Sequence, residues 1–445
     1  MSISAARRPR LLYLAFYFPP SRASGVYRAR ATANHFAAAG WDVTVMRAPD
    51  RFFETVTGSS DTALTDTVDP AIDVVQVPMS LFEWETDIAR YGRFRGNAPI
   101  LAKRWNDWQQ RHLFPERYQS WARHCVAEGR RRHRRGRFDL IIATGNPFAA
   151  FGAAWALSRL TGAPYVVDYR DSWTLDLFAG ADAFPPGHPA WKWERRVLRR
   201  AAASVFVNDA LRGWHAERYP GAADRMLVVP NGWDPDCLDA GDVASGADRP
   251  LSYAYVGTLT ANQPVGSMIE GHRTMRERGD HADAGLDLYG HLGFFTGSAE
   301  QLRSKLGLEF DEPDAPGLHY RGPVSKAAVG EAYAASDVLV FLAGGSKYVT
   351  SGKVFEYMAT GKPIVSVHEP GCAAEELLRD YPLWFDPGSL EPSDVAAAMA
   401  AAGDAARKDD PATAERARAY AASFTRHRAL EPFEHWARER IGARR

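Results

Sequence analysis

The run Ser351–Val365 places a hydroxyl, a cation and a carboxylate where they can grip a nucleotide diphosphate. Ser351 suits an N-cap, and Gly361-Lys362-Pro363 ends a helix with a C′ glycine and a following proline. The open backbone N–H groups at such a helix start favour a phosphate, and Lys353 adds charge beside them. Glu356 follows at i+3, so both side chains share one face, and a carboxylate there suits the paired hydroxyls of a ribose. The plainer alternative is an amphipathic helix with Val354, Phe355 and Met358 in a core and its charges solvated.

Further segments carry groups of the same kind. Phe18-Pro-Pro-Ser-Arg-Ala-Ser-Gly-Val-Tyr-Arg28 reads as a strand end, a glycine loop and a helix start, in which Gly25 permits close approach to an anion. Arg22 and Arg28 stand by to contact a diphosphate, a charge-assisted bond being worth roughly 1.5–3 kcal/mol. The glycine spacing is not GxGxxG, so a nicotinamide cofactor is not indicated. In Pro164–Trp173 a buried strand runs into Asp168, Arg170 and Asp171 at its C-terminal end, where α/β folds place functional groups. Arg170 and Asp171, with Lys353, are the candidate catalytic residues, although an Arg170–Asp171 pair that is only structural is the competing reading. Asn146 holds the equivalent place after the preceding strand and is a donor for a sugar hydroxyl. Gly257 and the Gly290-His291 pair end two successive strands later in the chain, with His291 as a neighbour of a base or ribose.

The elements that must position these residues alternate between short apolar runs and helical patterns, the signature of βαβ units and parallel sheets. Strands are expected at Leu11–Phe18, Asp42–Met46, Val74–Val77, Leu140–Ala143, Tyr165–Asp168, Ser204–Val207 and Leu227–Val229. A second set falls at Ser252–Val256, Leu286–Tyr289, Leu318–Tyr320, Val338–Phe341, Ile364–Val367 and Leu383–Phe385. Helices are expected over Ala29–Ala39, Phe148–Leu160, Lys326–Ala335 and Asp394–Ala402. The pattern restarts near Leu251, after the Gly-, Asp- and Ala-rich stretch Asp239–Pro250, which reads as a linker. Met79–Pro115 is a long insertion rich in aromatics and arginines. It reads equally as an acceptor-side lid or as a helical hairpin that only packs.

At 445 residues the chain suits two or three domains, and its 46% hydrophobic content is enough for sizeable cores. Lys+Arg and Asp+Glu both number 54, so bulk charge gives no argument for nucleic acid. The three cysteines Cys125, Cys237 and Cys372 form no metal knuckle or disulfide framework, which fits a reducing, cytosolic setting. Arg7, Arg8 and Arg10 before Leu11–Phe18 imitate a signal peptide. The run is short and lacks a small-residue cleavage site, so a buried first strand is expected. No apolar run approaches the roughly 20 residues of a membrane span. Arg130–Arg137 is the densest basic run. It reads as a solvated helix end or as a surface for anionic lipid headgroups, hence a peripheral contact with the inner face of a membrane.

In this order, the segments Tyr17–Arg28, Val167–Trp173, Val229–Asp234, Tyr255–Leu259, Leu288–Gly293 and Ser351–Val365 resemble the retaining GT-B-fold glycosyltransferases of family 4 (group 1 type). The resemblance implies an α/β fold of two facing Rossmann-like domains with a cleft between them. Residues 1–235 would form the acceptor side and residues 236–410 would bind a nucleotide sugar. Residues 411–445 would form a helical tail packing back on the first domain. It implies that Glu356 binds the donor ribose and that Thr350, Ser351, Gly352 and Lys353 hold the diphosphate. Gly25, Arg28, Gly257 and His291 would lie toward the donor, and Asn146 and Asp168 toward the acceptor. The implied activity is transfer to a polysaccharide, lipid-linked glycan or natural product, with the nucleotide sugar as substrate and no obligatory metal or other cofactor. Asp234-Pro235-Asp236 imitates a metal-binding DxD but sits in a turn. Two departures stand out: Tyr348 occupies a place where the family often has a second glutamate, and Thr258–Pro264 lacks the family's frequent Arg and Lys. They motivate a competing expectation, a non-catalytic nucleotide-sugar-binding protein; a sugar-nucleotide epimerase on the same two-domain architecture is a further alternative.

Overall fold

The computed structural model describes residues 7–57, 60–82, 91–238, 249–293, 317–324 and 326–443. Most of the expected linker, 239–248, and Trp84 of the insertion lie outside them. The chain divides into two compact units, Met1–Pro230 with Leu430–Arg445, and Asn231–Ala429.

The first unit is built on a parallel sheet. Its strands are β1 (Arg10–Leu14), β2 (Asp42–Arg47), β3 (Asp73–Gln76), β4 (Leu140–Gly145) and β5 (Tyr165–Tyr169). After a short hairpin, β6 (Leu175–Asp176) and β7 (Ala181–Asp182), come β8 (Ala203–Phe206) and β9 (Met226–Val228). The sheet order is β3-β2-β1-β4-β5-β8-β9. Helices cover both faces, so the central strands are apolar at consecutive positions rather than alternate ones. Leu11, Leu12, Tyr13 and Leu14 are all fully buried. The expected first strand is longer than the observed one. The chain leaves the sheet after Leu14, and Phe16 goes into an aromatic cluster with Phe52 and Trp121.

The second unit repeats the plan with β10 (Ser252–Val256), β11 (Gly285–Tyr289), β12 (Leu318–Gly322), β13 (Val338–Ala343), β14 (Ile364–His368) and β15 (Trp384–Phe385). Their order is β12-β11-β10-β13-β14-β15, all parallel. In each unit the strand order reverses beside its first strand, between β1 and β4 and between β10 and β13. Beyond the C-terminal ends of strands at such a reversal, this architecture binds ligands.

The C-terminal segment is shared between the units. The helix Pro411–Ala422 buries Ala417 and Ala421 in the core of the second unit, with Val354 and Phe355. The helix Arg426–Gly442 inserts Leu430, Phe433, Ala437 and Ile441 into the core of the first. Burying each large apolar side chain there contributes about 1.5–3 kcal/mol. Trp41 donates its Nε1–H to Glu434 at 2.6 Å, which fixes the helix to the start of β2.

The insertion is helical where it is described, over Arg93–Asn97 and Pro99–His112. Its far end is anchored by Phe114, buried against Trp173 and Trp193. Glu116 accepts from the backbone N–H groups of Phe148 (2.8 Å) and Ala149 (2.6 Å), capping the helix Ala149–Thr161.

Candidate functional site

In the second unit the expected residues converge on the ends of β10 and β11. Ser351 caps the helix Gly352–Ala359, its hydroxyl accepting from the Lys353 N–H at 3.3 Å. The helix stops at Gly361, whose φ of +71° is the left-handed conformation a C′ glycine supplies. Lys353 folds back over β10. Its Nζ donates to the Tyr255 hydroxyl at 3.1 Å and lies 5.0 Å from the centre of that ring. The Tyr255 hydroxyl in turn donates to the Thr258 carbonyl and accepts from Gln263 Nε2. The ammonium therefore rests on a phenol fixed from two sides rather than extending into solvent.

Gly257 makes room for it. A Cβ at this position would lie 1.8 Å from Lys353 Nζ, and the backbone stands at φ +153°. Gly290, at the end of β11, has φ +140°, and a Cβ there would lie 2.0 Å from the Gly257 carbonyl oxygen. The two strand ends thus nest backbone against backbone, as the Gly257 N–H to Tyr289 carbonyl bond of 2.7 Å also shows. Both glycines resist substitution, and for different reasons. In Gly257→Ala the lysine tip can swing aside, leaving mainly a backbone strain of about 1–3 kcal/mol. In Gly290→Ala the obstacle is a carbonyl that cannot move without parting the strands. Thermal unfolding is expected to show Gly290→Ala as the more destabilised variant. The reverse order would show that the nesting is not rigid.

Glu356 is half-buried one turn after Lys353 and accepts from the Tyr333 hydroxyl at 2.9 Å. Burial, then the Glu356 charge, pushes the Tyr333 phenol well above its ordinary range, so it stays a donor to that carboxylate. The Tyr357 hydroxyl meets the backbone of Val256 (2.9 Å to N), tying the helix to β10. The buried Thr350 presents its carbonyl to Asn231 Nδ2 at 3.0 Å, which holds the loop before Ser351. His291 is exposed and takes part through its carbonyl, which accepts from the Leu259 N–H. Lys347 is exposed and Tyr348 half-buried.

In the first unit the expected residues gather around Arg170, at the end of β5. Its guanidinium contacts Asp171 at 2.9 Å, the Ser24 hydroxyl at 3.3 Å and the Gly145 carbonyl at 3.4 Å. It also fills the space beside Gly25, where a Cβ would lie 2.4 Å from Nη1. What approaches the glycine loop after β1 is this arginine from the end of β5, two strands away in the sheet. Asn146, next along from Gly145, is exposed.

Arg28 and Asp168, expected toward the donor and the acceptor, are brought together by the structure. Both are buried, and they face one another in a two-pronged pair, Nη2 to Oδ1 at 2.8 Å and Nε to Oδ2 at 2.9 Å. Arg28 Nη1 donates to the Pro230 carbonyl at 3.2 Å. Burial alone would lower the guanidinium, but Asp168 outweighs it and leaves it raised. The pair ties the helix Val26–Ala38 to β5 and so positions both Gly25 and Arg170.

The basic run at Arg130–Arg137 closes the helix Gln119–Arg135. Arg131 and Arg132 are paired with Glu128, and Arg132 also with Asp73. Arg130, Arg134, Arg135 and Arg137 are exposed. Asp234 Oδ1 accepts from the Asp236 N–H at 3.2 Å within its own turn. Among the described residues, no cluster of three or more His, Cys, Asp or Glu side chains is placed to hold a metal ion. No described helix is long and apolar enough to cross a membrane.

Sequence reading missed Tyr255, Tyr333 and Gln263, because their role lies in where their polar tips end. For Tyr255 the available signal was a tyrosine within a buried strand, since a buried phenol needs a partner.

Residues 25–232 match the model of the glycosyl transferase 4-like domain, and residues 251–405 that of the glycosyl transferases group 1. No curated protein matches the chain. Among solved structures, a glycosyltransferase from Rickettsia africae aligns over 97% of this chain and 98% of its own, with a TM-score of 0.64 and 13% identity. HepE from Anabaena, in complex with UDP and glucose, aligns over 97% and 100% with a TM-score of 0.62 and 16% identity. Sucrose-phosphate synthase from Thermosynechococcus elongatus aligns over 98% and 100% with a TM-score of 0.61 and 14% identity. At such identities the likeness is one of fold.

Proposed function

Because the chain belongs to the glycosyltransferases that join a 4-like domain to a group 1 domain, we propose that it transfers a glycosyl group from a UDP-sugar to an acceptor hydroxyl with retention. The anomeric carbon loses its bond to the diphosphate and gains one to the acceptor oxygen on the same face, and the acceptor's hydroxyl proton leaves with the released UDP. The acceptor is a polysaccharide, lipid-linked glycan or natural product, and the reaction draws on no metal.

The observation that carries this reading is the Lys353 ammonium, seated on Tyr255 over Gly257 at the start of a Ser351-capped helix. A fixed cation beside open N–H groups stabilises negative charge as it develops on a departing diphosphate, an effect that often dominates catalysis. Glu356 takes the ribose hydroxyls, with Thr350, Ser351 and Gly352 around the diphosphate and His291 toward the base. In the first unit Arg170 and Asp171 act on the acceptor side, with Asn146 beside them and Gly25 giving the approach. Uridine is the base of first choice because HepE of the same fold was solved with UDP and with UDP-glucose.

Thermal unfolding with UDP-, GDP- and dTDP-sugars tests the donor. A ligand at 100 times its Kd adds about 2.7 kcal/mol of stability. UDP compounds are expected to raise the transition most, and a larger response to GDP or dTDP would overturn the choice of base. Product analysis by NMR then decides the rest. A retained anomer on an acceptor, formed equally with and without chelator, is the expected result. An isomerised donor formed without any acceptor would identify an epimerase instead.

A further inference from the structure

The helix Pro99–His112 is amphipathic in the wrong sense for a domain surface. Ile100, Leu101, Trp105 and Trp108 are 75%, 57%, 51% and 44% exposed, whereas the inward positions hold Ala102, Asn106 and Gln109. At 100° per residue the four outward side chains fall within an arc of about 140°, with Arg104 and Arg111 on the same arc. Of the ten large hydrophobic residues exposed among the described residues, six lie within 94–113, so this is a patch and not ordinary scatter. Trp105 and Trp108 are stacked, 5.1 Å apart at 14°, and so stand ready without further ordering.

Charge points to the occupant. Residues 91–117 hold six Arg or Lys against Asp107 and Glu116, in a chain whose net charge is zero. Asp107 is already paired with Lys103, and Glu116 is engaged as a helix cap. Tryptophan and aliphatic side chains interleaved with arginine match the boundary between lipid headgroups and acyl chains. A helix of this length, about 21 Å, suits lying in that plane and is too short to span it. We propose that the outward face of Pro99–His112 docks the protein on an anionic lipid surface, with Trp105, Trp108, Ile100 and Leu101 entering the headgroup layer and Arg104 and Arg111 contacting phosphates. This places the membrane contact on the insertion rather than on Arg130–Arg137, where Arg131 and Arg132 already have acidic partners.

Flotation of the full chain with phosphatidylcholine vesicles, with and without phosphatidylglycerol, tests this directly. The protein is expected to float with the anionic vesicles only. Trp105→Ser/Trp108→Ser should weaken partitioning at least about tenfold. Arg104→Ala/Arg111→Ala should weaken it about 30-fold at low salt. Because the replaced side chains are exposed, both variants should melt as wild type and keep the same thermal response to UDP. Wild-type partitioning by the tryptophan variant, or no binding to anionic vesicles, would overturn the proposal. So would a wild-type dimer in sedimentation that the tryptophan variant abolishes, since the face would then join two copies of the chain.

Discussion

Lys353→Ala is expected to lower transfer turnover by about 100- to 1000-fold, the usual loss when one preorganised charge-stabilising group is removed. The size follows from what else is nearby. Thr258–Pro264, the loop leaving β10, has no basic residue, so that loop adds no cation to share the task. The tyrosine seat also matters. Because Tyr255 is itself held by Thr258 and Gln263, the ammonium waits in place and needs no ordering as charge develops. The fold should survive, since Lys353 is only half-buried and the capping bond uses its backbone N–H, which alanine retains. Steady-state transfer assays and a melting curve check both halves. Wild-type turnover in a well-folded variant would refute the role of Lys353. Turnover lost together with the melting transition would show that the lysine serves the core.

The architecture was legible in the sequence for a simple reason. Parallel strands buried on both faces are written as unbroken apolar runs, and Ser252–Val256 stands in the sheet where that pattern puts it. The bounds of the helix Gly352–Ala359 were legible too, because Ser351 acts through its own hydroxyl on a backbone N–H two residues on and Gly361 through its own backbone. Pairings across the chain were not. Gly25 reads as a place where an anion can approach closely, and nothing local shows that the Arg170 guanidinium, 145 positions away, lies beside it. The spacing of Leu430, Phe433, Ala437 and Ile441 announces a buried helix face without saying which core receives it. It is the first unit's, while the preceding helix stays with the second. The inverted face of Pro99–His112 is the opposite case. A periodic apolar stripe reads as core, and only the structure shows it pointing outward.

Arg28 is expected toward the donor from its glycine loop, and Asp168 toward the acceptor as one of three charges at a strand end; the structure pairs the two. Their pairing makes the largest stability prediction. Asp168→Ala leaves a buried guanidinium without its partner, which costs about 3–5 kcal/mol. For a unit of this size that is a fall of roughly 6–20 °C in its melting transition. Two units need not melt together, and under the proposed function a UDP donor binds the second, whose transition alone it should raise. The transition that drops in Asp168→Ala should therefore be the one that does not respond to donor. Replacing both members at once, as Arg28→Met/Asp168→Leu, removes the stranded charge and should restore most of the loss. The double variant also separates the two readings of Arg28. If the arginine acts only by tying the helix Val26–Ala38 to β5, a refolded double variant transfers sugar within a few-fold of wild type. If its guanidinium reaches the donor, turnover stays low however stable the protein becomes, and the pair must be counted part of the site.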